Sequence, residues 1–188
     1  MEGKMTEDRL KTGIEGLDEV LEGGFIRGVS VLLEGPPGSG KTNIGLQILY
    51  NGMVEEGEPG LLVSFEQFPD QIFRDAMQFS WDLRELGRQG KFRMITTSPE
   101  SMVSAIEGRE SITERDIDIV FEEIAPKRVL IDSITHFRRI TMDESRLREI
   151  LAGFLHGLAK RGCTTFLTRE VEEQEGTVSF EEYAVDAS

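Results

Sequence analysis

Residues 35–42, GPPGSGKT, combine glycines, a lysine and a hydroxyl in a spacing that suits the binding of phosphate. Gly35, Gly40, Lys41 and Thr42 match the pattern G-x-x-x-x-G-K-[ST]. Glycines let the backbone curl so that its N–H groups point inward at phosphate oxygens, and the start of a helix adds partial positive charge. The pattern therefore predicts that a nucleotide is bound by Gly35, Pro36, Pro37, Gly38, Ser39, Gly40, Lys41 and Thr42.

One further group, a carboxylate, would complete a site for ATP and Mg²⁺. We expect Lys41 to reach the β- and γ-phosphates and the Thr42 hydroxyl to ligate the metal. The segment RVLIDS places Asp132 at the carboxyl end of an apolar strand, where a carboxylate holds Mg²⁺, here through water. The sequence thus predicts Mg²⁺ as a cofactor, with Thr42 and Asp132 as its residues.

Hydrolysis also requires a group that activates or positions the attacking water. Glu66 in LLVSFEQF follows an apolar strand and is the predicted water-activating carboxylate. Lys41 counts as catalytic beside it, because phosphoryl transfer depends on positioning and charge neutralisation. Thr168, which closes CTTFLT, is predicted to hydrogen-bond the γ-phosphate; an ordinary strand-end hydroxyl is the alternative.

Short apolar runs alternate with helical patterns, and this order must position the residues above. Predicted strands span Val29–Glu34, Gly60–Phe65, Lys91–Thr96, Arg128–Ser133 and Cys163–Thr168. Predicted helices span Lys41–Glu55, Pro69–Phe79, Thr113–Ile124 and Asp143–Arg161, with a loop and a short helix expected within residues 97–115. The alternation indicates an α/β fold with a mostly parallel sheet, helices on both faces, and ligands at the carboxyl ends of the strands.

The 188 residues suit a single domain, residues 1–188, in which residues 1–28 form an N-terminal preamble. In that preamble Ile14, Leu17, Val20 and Leu21 fall at helical spacing and predict a short amphipathic helix. No apolar run approaches the roughly 18 residues of a membrane helix, and MEGKMTEDRLK lacks a signal-peptide core. We therefore expect a cytoplasmic protein without a membrane partner. The single cysteine, Cys163, is expected to be a buried core residue.

The chain is strongly acidic, with a net charge of −14. Such a surface repels nucleic acid, whose binding depends on neutralisation of phosphates by Lys and Arg. Arg138 and Arg139 are the local exception: they could contact single-stranded nucleic acid or pair with acidic residues of a neighbouring subunit. The acidic run from Glu170 to Glu175 is expected to be a solvated loop.

These segments, in this order, resemble the KaiC-like branch of the RecA/RadA ATPase superfamily. The resemblance covers nearly the whole chain and rests on TGIEGLDEVLEGGFIRG, GPPGSGKT as Walker A, LLVSFEQF, FSWDLRELGRQGKFRMI, VLIDSITHF as Walker B, and GCTTFLTREV. It implies a RecA-like P-loop core, Mg-ATP bound between adjacent subunits, and a homo-oligomeric ring, often a hexamer. It also implies that Glu66 is the first catalytic glutamate.

The sequence departs from that family at three points. Gln67 stands where a second glutamate often follows Glu66, and glutamine cannot accept a proton, so we expect slower turnover. The sequence ends at EEYAVDAS before the family's K-x-R segment, which leads us to expect weaker activation of hydrolysis by a neighbour. Glu182 and Tyr183 occupy the place of the serine and threonine that clock-type members phosphorylate, which argues against autophosphorylation.

Three functions are consistent with these features. The first is a Mg-dependent ATPase with a regulatory or signalling role. The second is a nucleotide-gated oligomeric switch with little turnover, and the third is a RadA-like DNA-associated ATPase. In each case ATP or ADP is the small-molecule partner, and the sequence does not identify a protein partner.

Overall fold

The computed structural model describes residues 8–65, 67–106, 112–139 and 144–171. The strands are β1 (Arg9–Leu10), β2 (Phe25–Ile26), β3 (Ser30–Gly35), β4 (Gly60–Ser64), β5 (Phe92–Thr96), β6 (Arg128–Asp132) and β7 (Thr164–Glu170). The helices are α1 (Leu17–Val20), α2 (Lys41–Glu55), α3 (Pro69–Met77), α4 (Leu83–Arg88), α5 (Pro99–Ile106), α6 (Ile112–Ile124) and α7 (Glu144–Lys160), with a 3-10 helix at Ile134–Arg139.

Five parallel strands form the central sheet, in the order β3-β7-β6-β4-β5. The register pairs Leu33 with Thr168 and Ser64 with Asp132, so the carboxyl ends of four strands meet at one edge of the sheet. Parallel strands need crossover connections, and helices supply them on both faces. The expected α/β fold with a parallel sheet is confirmed.

Alternating side chains of the strands divide the core into two layers. On β6, Val129 and Ile131 face the helices α5, α6 and α7, whereas Leu130 faces α2, α3 and α4. The last helix, α7, buries five aliphatic residues in the first of these layers: Leu147, Ile150, Leu151, Leu155 and Leu158. On the other face α2 lies close to the sheet, since a Cβ on Gly45 would come within 2.5 Å of a Leu130 methyl.

The structure differs from the predicted elements mainly at short segments. The helix α4 was not predicted; Asp82 caps it by accepting a hydrogen bond from the Glu85 N–H at 2.9 Å. The preamble contains a helix of only four residues, and none of them is buried. Val20 is 80% exposed, so its place in the predicted amphipathic stripe is wrong, whereas Ile14 of that stripe packs against the core. A positive φ at Gly16, directly before α1, shortens the helix to a single turn.

The preamble is held by Leu10, which is fully buried in the core, by pairing of β1 with β2, and by polar contacts. The Asp18 carboxylate accepts hydrogen bonds from the N–H groups of Thr12 and Gly13 and from the Thr12 hydroxyl. Arg128, which is fully buried on β6, donates to the carbonyl oxygen of Lys11 at 2.8 Å and pairs with Glu58 at 2.7 Å. These contacts attach the preamble to the amino-terminal end of the sheet.

Within the described residues, no helix is both long and apolar enough to cross a membrane.

Candidate functional site

The glycine-rich loop, residues 35–42, joins β3 to α2 at the carboxyl edge of the sheet. Gly38 and Gly40 adopt φ values of 77° and 90°, which L side chains rarely adopt. The loop therefore curls around the Lys41 ammonium group. Lys41 Nζ donates to the carbonyl oxygens of Gly35 at 2.9 Å and Pro36 at 2.8 Å, and only 8% of the residue is exposed.

The predicted metal residues lie together beside this loop. Thr42, in the first turn of α2, donates its hydroxyl to Asp132, and both carboxylate oxygens lie 3.1 Å from Thr42 Oγ1. Thr168, on the neighbouring strand β7, donates its hydroxyl to the Oδ1 atom of the same carboxylate. Helix α2 and strands β6 and β7 thus bring two hydroxyls to one carboxylate. Thr168 is completely buried and contacts Asp132 from inside the sheet.

A cavity of about 270 Å³, here called the loop cavity, opens above these residues. Its lining includes Gly38, Gly40, Lys41, Thr42 and Asp132, which the sequence had singled out, together with Asn43, Gln67, Ser133 and Glu170. Asn43 and Ser133 each directly follow a predicted site residue, and that proximity was the only sequence signal for them. Glu170 was expected in a solvated loop; instead it ends β7 and also faces the loop cavity.

The connection after β4 brings a glutamine to the loop cavity. The Ser64 hydroxyl, which is buried, accepts a hydrogen bond from the Gln67 N–H and donates to the Gln67 carbonyl oxygen, both at 3.1 Å. These bonds fix the turn that follows the strand. Glu66 lies outside the described residues, so its role as water-activating carboxylate stays a prediction.

Arg169, on β7, is buried and pairs with Glu34 of β3 at 2.6 Å, so it bridges two neighbouring strands below the glycine-rich loop. Arg138 and Arg139 belong to the 3-10 helix, but their side chains lie outside the part of the chain that the structure describes. Contact of these two arginines with nucleic acid therefore stays a prediction.

The residues beside Asp132 fit Mg²⁺ by their chemistry. Mg²⁺ takes hard oxygen ligands and is commonly bound by one or two protein groups, with substrate phosphates and water completing its shell. A threonine hydroxyl and a carboxylate in hydrogen-bond contact provide such oxygens. The described residues contain no group of three or more His, Cys, Asp or Glu side chains that could hold a metal by themselves. Phosphate oxygens of a nucleotide would therefore complete this site.

Comparison with known proteins places the chain in one family. The family described as ATPase: KaiC matches residues 10–188. The circadian clock oscillator protein KaiC of Synechococcus elongatus is 35% identical over 178 residues, which are 91% of this chain and 33% of that protein. UPF0273 protein MJ1359 of Methanocaldococcus jannaschii is 37% identical over 173 residues, which are 87% of this chain and 70% of that protein.

A solved structure shows the same fold. The KaiC-like protein PH0186 of the archaeon Pyrococcus horikoshii OT3 superposes with a TM-score of 0.78 at 33% sequence identity. The match covers 95% of this chain and 77% of that one. By contrast, this chain spans about a third of the length of the cyanobacterial KaiC protein. The expected RecA-like fold is confirmed, and the chain belongs to the KaiC family of ATPases.

Proposed function

We propose that this chain binds ATP with Mg²⁺ in the loop cavity and hydrolyses it, and that turnover serves a regulatory or signalling role. The observation that carries the proposal is the convergence of Lys41, Thr42 and Asp132 on one cavity at the carboxyl edge of a parallel sheet. In open α/β sheets this edge is where ligands bind.

The glycine-rich loop supplies the phosphate contacts in this proposal. Lys41 Nζ now donates to two backbone carbonyls and to Ser39 Oγ, at 2.8–3.4 Å. A nucleotide would exchange those neutral acceptors for charged phosphate oxygens, which form stronger hydrogen bonds with an ammonium group. The N-terminus of α2 adds its unpaired N–H groups and its dipole. Binding therefore strengthens with the negative charge of the ligand.

Thr42 and Asp132 are the residues that would hold Mg²⁺, the former directly and the latter through water. Bound Mg²⁺ would neutralise charge on the β- and γ-phosphate oxygens. Thr168 supports this arrangement in a way the sequence did not suggest. Because its hydroxyl is buried against Asp132, we assign it a positioning role: it fixes the carboxylate, rather than contacting the γ-phosphate itself.

Glu66 is proposed as the base that takes the proton from the attacking water. Its neighbour Gln67 faces the loop cavity, where its amide can orient a water but cannot accept a proton. Glu170 adds a carboxylate to the same cavity, which opposes the binding of a polyanion. Turnover is therefore expected to be slow.

The first experiment measures ATP turnover per subunit, with Mg²⁺, over a wide range of protein concentration. Specific activity that rises with concentration is expected, because members of this family complete the site with a neighbouring subunit. Glu66→Gln should lose turnover while it retains ATP binding. Glu170→Gln, the same change at another carboxylate, should keep turnover and bind ATP more tightly. Equal loss in both variants would contradict the assignment of Glu66.

A nucleotide-gated switch with little turnover is the second candidate. It is favoured by Gln67, which occupies the cavity position where a second acid would assist hydrolysis. Background turnover at every protein concentration, with ATP still bound, would establish the switch instead of the enzyme. For either candidate we propose one RecA-like domain over residues 1–188 that assembles into a homo-oligomeric ring in the cytoplasm.

A further inference from the structure

A second cavity, of about 450 Å³, lies between α3, α4 and β5. None of its lining residues also lines the loop cavity. We call it the arginine cavity, because Arg84, Arg88 and Arg93 line it and its described lining includes no acidic residue. The carboxylates that pair with these arginines, on Asp70, Glu85 and Glu123, do not line the cavity, so its wall presents the guanidinium groups.

Among the described residues, the ion-pair partners of Arg84 and Arg88, the two arginines at the rim, are exposed. Arg84 pairs with Asp70 at 2.6 Å, and the side chains of the two residues are 56% and 84% exposed. Arg88 pairs with Glu85 on its own helix at 2.8 Å, again with both side chains largely exposed. Exposed ion pairs of this kind contribute little, and salt screens them. The two arginines can therefore exchange these partners for carboxylates of a ligand.

Arg93 fixes the third positive charge more firmly. It lies on β5, pairs with Glu123 of α6 at 2.8 Å, and donates to the carbonyl oxygens of Gly87 and Phe92, both at 3.1 Å. Its side chain is 35% exposed. The cavity thus has one anchored charge on the sheet and two exchangeable charges on the helix opposite.

The interior of the arginine cavity is apolar. Phe73, Leu83, Phe92 and Met94 contribute to the lining, and Arg84 lies 4.5 Å above the Phe73 ring. Beside it, β5 is the edge strand of the sheet and pairs with β4 alone among the described strands. An edge strand offers backbone N–H and C=O groups to an extended segment. A compact anion such as phosphate would use only the charges.

We propose that the arginine cavity binds a short acidic peptide segment of a partner protein, which places one bulky apolar side chain against the partly exposed Phe73 and Met94 and its carboxylates on the arginines. Charge complementarity favours acidic sequences, and the apolar lining of the cavity favours those that carry a bulky apolar side chain. This site would act independently of nucleotide chemistry, because it shares no residue with the loop cavity.

The test titrates fluorescein-labelled peptides EEFEE, QQFQQ and EEGEE into the full chain without nucleotide and measures fluorescence anisotropy. EEFEE is expected to bind, to weaken as salt rises, and to bind at least about tenfold tighter than either control. Arg84→Gln and Arg88→Gln should each weaken EEFEE by roughly three- to tenfold. Both arginines are mostly exposed, so these variants should fold, as a thermal melt would verify.

Arg161→Gln is the matched control. Like Arg84, Arg161 pairs with an exposed aspartate, at 2.7 Å, and lies 4.5 Å above a phenylalanine ring, but it does not line the arginine cavity. It should leave EEFEE binding unchanged. Equal weakening by Arg161→Gln, or equal binding of EEGEE and EEFEE, would overturn the proposal in favour of non-specific charge attraction. If inorganic phosphate displaced labelled EEFEE as strongly as unlabelled peptide does, the cavity would be a simple anion site and the proposal would be wrong. Self-association lost in Arg84→Gln would make the occupant a second copy.

Discussion

Replacement of Gly52 by alanine should destabilise the protein, although alanine is the better helix former. Gly52 lies in α2 against Arg128, and a Cβ there would be 2.2, 2.4 and 2.5 Å from Nε, Cζ and Cδ of that arginine. Arg128 is completely buried. The guanidinium would have to move away from Glu58, at 2.7 Å, and from the carbonyl oxygens of Lys11 and Ile48, at 2.8 and 2.9 Å.

The size of the effect follows from these contacts. Breaking a buried ion pair costs about 3–5 kcal/mol, and the change from glycine to alanine in a helix returns roughly 1 kcal/mol. We therefore expect the free energy of unfolding to fall by about 2–4 kcal/mol. Gly157→Ala is the matched control, because Gly157 lies in α7 and a Cβ there would meet nothing within 4 Å. That variant should gain roughly 0.5–1 kcal/mol.

Urea unfolding followed by far-UV circular dichroism measures both variants against the parent protein. The slope of free energy against urea should stay constant, so that the shift in midpoint reports stability. Equal stability of Gly52→Ala and Gly157→Ala would refute the packing of α2 against Arg128. Because α2 begins with Lys41 and Thr42, the packing of α2 against Arg128 also positions these two residues relative to the sheet.

Three further predictions address single groups. Burial raises the pKa of the Cys163 thiol to about 11, so native protein at pH 8 should react with a disulfide reagent at least roughly a hundredfold more slowly than protein unfolded in urea. Partial burial raises the pKa of Asp18. The hydrogen bonds that its carboxylate accepts from Thr12 and from the Gly13 N–H have a larger combined effect, and they hold the pKa below its ordinary value of 3.8. The ionised Asp18 carboxylate therefore stabilises the fold above about pH 4, and this stabilisation is lost as the pH falls through the lowered pKa. The difference in melting temperature between the parent protein and Asp18→Asn should shrink over the same fall in pH. Thr168→Val removes the hydroxyl from Asp132 and should raise the Mg²⁺ concentration for half-maximal turnover by roughly tenfold, with ATP affinity nearly unchanged; a loss of ATP affinity instead would favour direct contact with phosphate.

The elements with strong local signals could be predicted from the sequence. The glycine-rich loop and α2 follow from glycine spacing and a helical pattern, and the buried strands β4 and β6 follow from continuous apolar runs. The helix α4 has only six residues and contains Gly87, so its periodicity is too short to detect. The pairing of β1 with β2 depends on two-residue strands with no pattern of their own.

The site was predictable to the extent that its residues fall within or beside motifs. Lys41, Thr42 and Asp132 come together because parallel strands end at one edge, a rule that needs no coordinates. The contact of Thr168 with Asp132 depends on β7 lying beside β6, and sequence order does not give the order of strands in a sheet. The arginine cavity could not be predicted for a different reason: two of its three arginines lie on α4, a helix that the sequence did not predict.

The most direct test of the account is the affinity for Mg-ATP of the parent chain and of Lys41→Ala, measured by isothermal titration calorimetry. Lys160→Ala, at an exposed lysine in the last turn of α7, is the control. The account predicts that Lys41→Ala loses tight binding, by at least about a hundredfold, because the ammonium group that the glycine-rich loop encloses is gone. Micromolar binding retained by Lys41→Ala would contradict the central claim that this loop holds the nucleotide.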